Sequence, residues 1–117
     1  MKRDELIKLV NARIICGQDQ PDMEIMCACG SDMMSDVLAF TKHDAILLTG
    51  LVNNHVLRTA EMLDIQNILF VRGKTPSEDI IKMAEEMDMV LMTTEYPMFT
   101  TCGILYQNGL KGGMRDG

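Results

Sequence analysis

The chain has 117 residues, 47% of them hydrophobic and 24% charged, with 11 Lys and Arg against 17 Asp and Glu and a net charge of −6. That length suits one domain with a sizeable core, and the balance excludes an intrinsically disordered chain. The acidic charge argues against a nucleic-acid partner, whose affinity comes from neutralised phosphates, and no apolar run is long enough to predict a membrane span.

The N-terminus, "MKRDELIKLV", carries acids where a signal peptide needs an uninterrupted apolar stretch, so a cytoplasmic protein is expected. Residues 4–11 read as a short helix with Leu6, Ile7, Leu9 and Val10 inward, followed by a strand over 12–16 and a turn over 17–22 carrying Pro21. A second strand is expected over 23–28. Ser31 or Asp32 then caps a helix running to Phe40, with Met33, Met34, Val37 and Leu38 as its apolar stripe, and His43-Asp44 forms a turn.

From residue 45 the pattern becomes regular. Ala60-Glu61-Met62-Leu63-Asp64 repeats as Ala84-Glu85-Glu86-Met87-Asp88, and the match extends back through Arg58 and Lys82, Leu57 and Ile81, Val56 and Ile80. Positions 56, 60, 63 and 80, 84, 87 have the i, i+4, i+7 spacing of one helical face, so two equivalent amphipathic helices are predicted. Short runs that are apolar throughout flank them: "AILLT" at 45–49, "NILFV" at 67–71 and "MVLMT" at 89–93. Such runs suit strands of a parallel sheet covered on both faces. A third helix is expected over 97–108, with Met98, Cys102 and Leu105 inward and Gly109 as its stop, and residues 110–117 read as a mobile tail. The predicted architecture is α/β: a single domain over residues 1–117, with a largely parallel sheet built from three consecutive βα units and a less regular N-terminal half.

Gly73-Lys74-Thr75 spells the end of a phosphate-binding P-loop, but Ile68 stands where its first glycine belongs and lies within a predicted strand. Thr75-Pro76-Ser77-Glu78 reads instead as a capping box, with Thr75 as N-cap and Glu78 reaching back to it. Open α/β sheets bind ligands at their strand C-termini. The expected edge collects Thr49, Gly50, Asn53 and Asn54, then Arg72, Gly73 and Lys74, then Thr93, Thr94 and Tyr96. Two cations and several helix N-termini make a small anion the natural ligand class there, although caps and turn residues of the same types are common at such edges.

Cys27 and Cys29 point to one face of a strand, so with Cys16 or Cys102 they are candidate ligands of zinc or an iron–sulfur cluster; buried packing is the alternative. His43 and His55 have no Ser or Cys partner at a recognisable spacing, so no catalytic site is predicted. The 12 methionines suit an adaptable core. A homodimer is expected because a small sheet leaves unpaired edges, with residues 32–40 as its interface.

The succession "GSDMMSDVLAF", "AILLTG", "RTAEMLDI", "ILFVRGKTPSEDIIKMAEE" and "VLMTTEYPMFTTCGILYQNGL", best from Gly30 to Gly109, resembles the DRTGG domain family. It is similar to the small stand-alone members, and more distantly to the DRTGG modules of phosphate acetyltransferases and CBS-containing pyrophosphatases and to the N-terminal domain of HPr kinase/phosphorylase. The resemblance implies a non-catalytic regulatory or protein-interaction module without a cofactor, self-associating, and implies no agreed ligand; the small anionic or nucleotide ligand is the expectation of the strand C-terminal edge. It further implies partners among the components of a hydrogenase or signalling complex; a redox or metal accessory role through Cys27 and Cys29 is the alternative. The chain departs from the family's eponymous string, with Gly50-Leu51-Val52-Asn53-Asn54 and Val71-Arg72-Gly73 at the two motif positions.

Overall fold

The structure, a computed structural model, describes residues 1–39 and 44–112. The three runs from residue 45 onward form the predicted strands β3 (Ala45–Thr49), β4 (Asn67–Phe70) and β5 (Val90–Thr93), which pair in parallel. β2 (Cys27–Gly30) adds in parallel on β3, and β1 (Arg13–Cys16) adds antiparallel on β5, giving the order β1-β5-β4-β3-β2. The fold is the α/β single sheet expected.

Every residue of β3, β4 and β5 is buried, and alternation divides their side chains between two cores. Leu47, Ile68, Phe70 and Leu91 meet α2 (Met34–Val37), α3 (Asn54–Met62) and α4 (Glu78–Glu86) on one face. Ile46, Leu48, Leu69, Val90 and Met92 meet α1 (Arg3–Leu9) and α5 (Met98–Gln107) on the other. Consecutive crossovers of one hand place α2, α3 and α4 together; α1 and α5 close the opposite face.

The repeat acquires its physical meaning at the helix ends. Asp64 and Asp88 sit in the left-handed region at φ +56° and +57°. The N–H of the next residue bonds back into the helix, Ile65 to the Ala60 carbonyl at 2.8 Å and Met89 to Ala84 at 3.0 Å. This is the Schellman closure, and Asn11 and Gly109 end α1 and α5 the same way. Three of these closures turn an apolar residue, Ile65, Met89 or Leu110, into the core.

Four expectations need correction. Residues 23–26 do not join the sheet: Ile25 N–H bonds to Met1 and Met26 N–H to Asp44, and the ladder begins only at Cys27, so the strand starts four residues later than predicted and ends two later, at Gly30. The helix capped by Ser31 or Asp32 shrinks to Met34–Val37, because the Asp32 carboxylate turns away to Gly50; its expected end at Phe40, like His43, lies outside the described residues. The N-cap of α4 is Ser77, without a side-chain bond, and Pro76 is buried ahead of it, so Thr75 lies outside the helix and the capping box does not form. Leu110 is buried, and the Lys111 carbonyl accepts from Ala28 N–H on the β2 edge, which makes these residues part of the folded unit; residues 113–117 lie outside the described residues.

The closures yield a stability test. A β-branched side chain at a left-handed position costs roughly 1–2 kcal/mol, whereas Gly adopts it freely. Asp88→Val is therefore expected to lower the urea midpoint at unchanged slope, and Asp88→Gly to leave it unchanged or raise it. Equal tolerance of both would show that the left-handed turn is not what ends α4.

Candidate functional site at the strand C-terminal edge

Because β2 to β5 run in one direction, the residues after each strand converge on one edge. Thr49, Phe70 and Thr93 are in register across three strands. The loop after β4 takes an unusual path: Arg72 and Gly73 are both left-handed, at φ +59° and +69°. Their N–H groups donate to the Tyr96 and Thr94 carbonyls at 2.9 and 2.8 Å, which ties this loop to the one after β5. The path aims Arg72 back over β3. An ideal Cβ on Gly50 would lie 2.5 Å from the guanidinium, so a side chain at 50 would push this half-exposed end of Arg72 aside.

The guanidinium faces Asp32 across Gly50. One Asp32 carboxylate oxygen accepts from the Gly50 N–H at 2.7 Å and the Thr49 hydroxyl at 3.0 Å; the other lies 3.8 Å from Arg72. The ends of β2, β3 and β4 thus meet around one carboxylate. Asp32 was expected only as a helix cap, because the late end of β2 that carries it to this edge has no signal in the local sequence. A second carboxylate, Glu95, hangs over the next turn, 2.9 Å from where a Gly73 Cβ would stand. The cations Arg72 and Lys74 are therefore accompanied by two acids.

The other expected residues divide by what their side chains do. Asn53 caps α3, accepting from His55 and Val56 N–H. Thr93 donates to the Lys74 carbonyl at 2.7 Å, and Thr94 to the Val10 carbonyl at 2.6 Å; both are buried. These three hold the edge together. Lys74 is exposed, and Asn54 and Tyr96 are half-buried, Tyr96 packing against the α1/α5 core.

The larger cavities lie elsewhere. One of about 310 Å³, lined by Glu61, Asp64, Gln66 and Asp88 among others, opens at the strand N-terminal edge. Its carboxylates and the C-termini of α3 and α4 make it unfavourable to anions. The strand C-terminal edge is where donors and cations gather.

The cysteines do not assemble. Cys27 and Cys29 share the α3/α4 face of β2, whereas Cys102 lies across the sheet, its Sγ 3.2 Å from where a Gly30 Cβ would stand. Cys16 is on β1, at the far edge from β2, about 19 Å away at four strand spacings. The expected third ligand is therefore absent from the Cys27–Cys29 pair, and among the described residues no three His, Cys, Asp or Glu groups are placed to hold a metal ion. Burial pushes the Cys16, Cys29 and Cys102 thiols up from their ordinary value. A raised value favours the neutral thiol in the folded chain, so its stabilising contribution is complete below the unfolded value and lost as pH rises through the folded one. The urea midpoint is expected to fall above about pH 8.5, and ultraviolet absorbance to show thiolate forming at higher pH in native than in urea-unfolded chain. Coincident titrations would return the thiols to water.

Comparison with known proteins places this geometry in a family. The model of the DRTGG domain matches residues 5–108. Among solved structures, the chain is similar to the crystal structure of the CBS and DRTGG domains of the regulatory region of Clostridium perfringens pyrophosphatase, complexed with its activator diadenosine tetraphosphate. The TM-score is 0.69 at 18% identity, covering 90% of this chain and 46% of that one, so this chain spans less than half of its structural neighbour. No curated protein matches. Among the described residues no helix is long and apolar enough to cross a membrane. With a family model spanning both halves of the sheet and a fold that matches a solved example, the chain belongs to the DRTGG domain family.

Proposed function

We propose that this chain is a non-catalytic regulatory module that senses a small anionic or nucleotide ligand between the ends of β3 and β4. The observation that carries this reading is the convergence of the Thr49 hydroxyl, the Gly50 amide and the Arg72 guanidinium on one anionic group. The structural neighbour, a regulatory region with a nucleotide activator bound, supports the ligand class. Ile68, buried inside β4 where a P-loop needs glycine, gives no support to ATP hydrolysis.

The test is thermal and urea denaturation with inorganic phosphate, ATP and diadenosine tetraphosphate. A ligand at 100 times its Kd adds about 2.7 kcal/mol of stability, and Arg72→Ala is expected to remove that gain. Stability indifferent to all three probes at millimolar concentration would overturn the sensing role. ATP turnover that vanished in Lys74→Ala would overturn the non-catalytic one.

Self-association through the segment after Asp32 belongs to the same proposal, supported by Met33 and Leu38, which are 61% and 44% exposed. Light scattering at micromolar concentration is expected to give twice the 13.1 kDa chain mass. A monomer mass would defeat it. A dimer that survived Met33→Glu and Leu38→Glu would move the interface elsewhere.

A further inference from the structure

Asp32 is itself an anion held where the proposed ligand would bind. Its carboxylate accepts a backbone N–H at 2.7 Å and a hydroxyl at 3.0 Å, the coordination that a carboxylate or phosphate oxygen of a ligand would receive. Its grip is nonetheless light. The ion pair with Arg72 is long, at 3.8 Å, with the two side chains 46% and 53% exposed, and solvent-exposed pairs of that kind contribute little.

The segment that carries Asp32 is also lightly held. Its helix, α2, has four residues and no side-chain cap. Of its apolar side chains, Val37 is buried and Met34 partly so, while Met33 and Leu38 are largely exposed. Upstream the chain is anchored by the Ser31 N–H on the Leu48 carbonyl at 3.0 Å and by β2 itself. Release of Asp32 would therefore free the segment after Ser31 without breaking the sheet.

We infer that Thr49, Gly50 and Arg72 form a cradle for a carboxylate or phosphate oxygen, which Asp32 fills in the free chain and which an anionic ligand takes by displacing it, loosening residues 31–39. This rests on the anion-sensing reading above and adds its regulation: ligand and docked segment exclude one another. The apparent affinity is then the intrinsic one reduced by the fraction of chains with Asp32 withdrawn.

The experiment measures binding of acetate, inorganic phosphate and diadenosine tetraphosphate to wild type, Asp32→Ala and Asp32→Asn by calorimetry, with amide hydrogen exchange over residues 31–39. Acetate against phosphate separates the two oxygen sources, and the dinucleotide shows whether more than the oxygen is read. Asp32→Ala is expected to bind at least one probe tenfold or more tightly than wild type. Asp32→Asn, which keeps the hydrogen bonds and loses the charge, should fall between. Exchange over 31–39 should rise in Asp32→Ala and in wild type with probe bound, and Arg72→Ala in the Asp32→Ala background should lose the gained affinity. Wild-type binding that Asp32→Ala does not tighten, or binding that leaves 31–39 as protected as before, would overturn the displacement and leave the sensing role standing. Gained affinity that survives Arg72→Ala would overturn the cradle. No binding by any variant, Asp32→Asn included, would overturn both readings.

Discussion

Three short strands with no exposed residue set the terms for everything else in this fold. β3, β4 and β5 bury both faces, and parallel strands so buried require a helical layer on each side. The α3/α4 layer comes directly from the crossovers between them. The second layer comes from α1 before the sheet and α5 after it; their Leu6 and Leu105, with Val10 and Leu110 in the turns that follow them, lie against Ile46, Leu69 and Met92. Neither half is complete alone.

The same constraint explains why the helices end as they do. A crossover helix must stop where the chain can return to the sheet without exposing its last carbonyls. Asp64 and Asp88 achieve this by entering the left-handed region, which lets the following amide close the helix and sends Ile65 and Met89 inward. The repeat is thus a repeated mechanical solution, and a binding function is not needed to account for it.

Parallel direction also sorts chemistry between the two sheet edges. At the strand N-termini the helix C-termini add negative potential to Glu61, Asp64 and Asp88 around a cavity of about 310 Å³. At the strand C-termini the backbone amides, Arg72 and Lys74 gather, with Asp32 and Glu95 among them. Many residues at the second edge serve the scaffold: Thr93, Thr94 and Asn53 each satisfy a backbone group. The turn at Gly50 differs because three strand ends meet there around a side chain that solvent reaches. The structural neighbour, of which this chain covers less than half, contains a module of this same fold.

The amino-acid sequence by itself determined the repeat half. Continuous apolar runs could only be doubly covered strands, the i, i+4, i+7 spacing oriented the helices, and Ile68 ruled out the P-loop; these are signals local to a few residues. It also placed Thr49, Gly50, Arg72 and Lys74 on one edge, since parallel topology follows from alternating strands and helices. Only the tertiary structure decided where β2 begins, because Met23–Met26 is as apolar as Cys27–Gly30 and the choice lies with Met1, Asp44 and β3 as partners. The later end of β2, at Gly30, brings Asp32 to Gly50. The tertiary structure decided likewise that α4 starts after Ser77 and that Leu110 is core. A cap or a register is selected by long-range partners competing for the same backbone groups, and that competition leaves no mark on the local pattern.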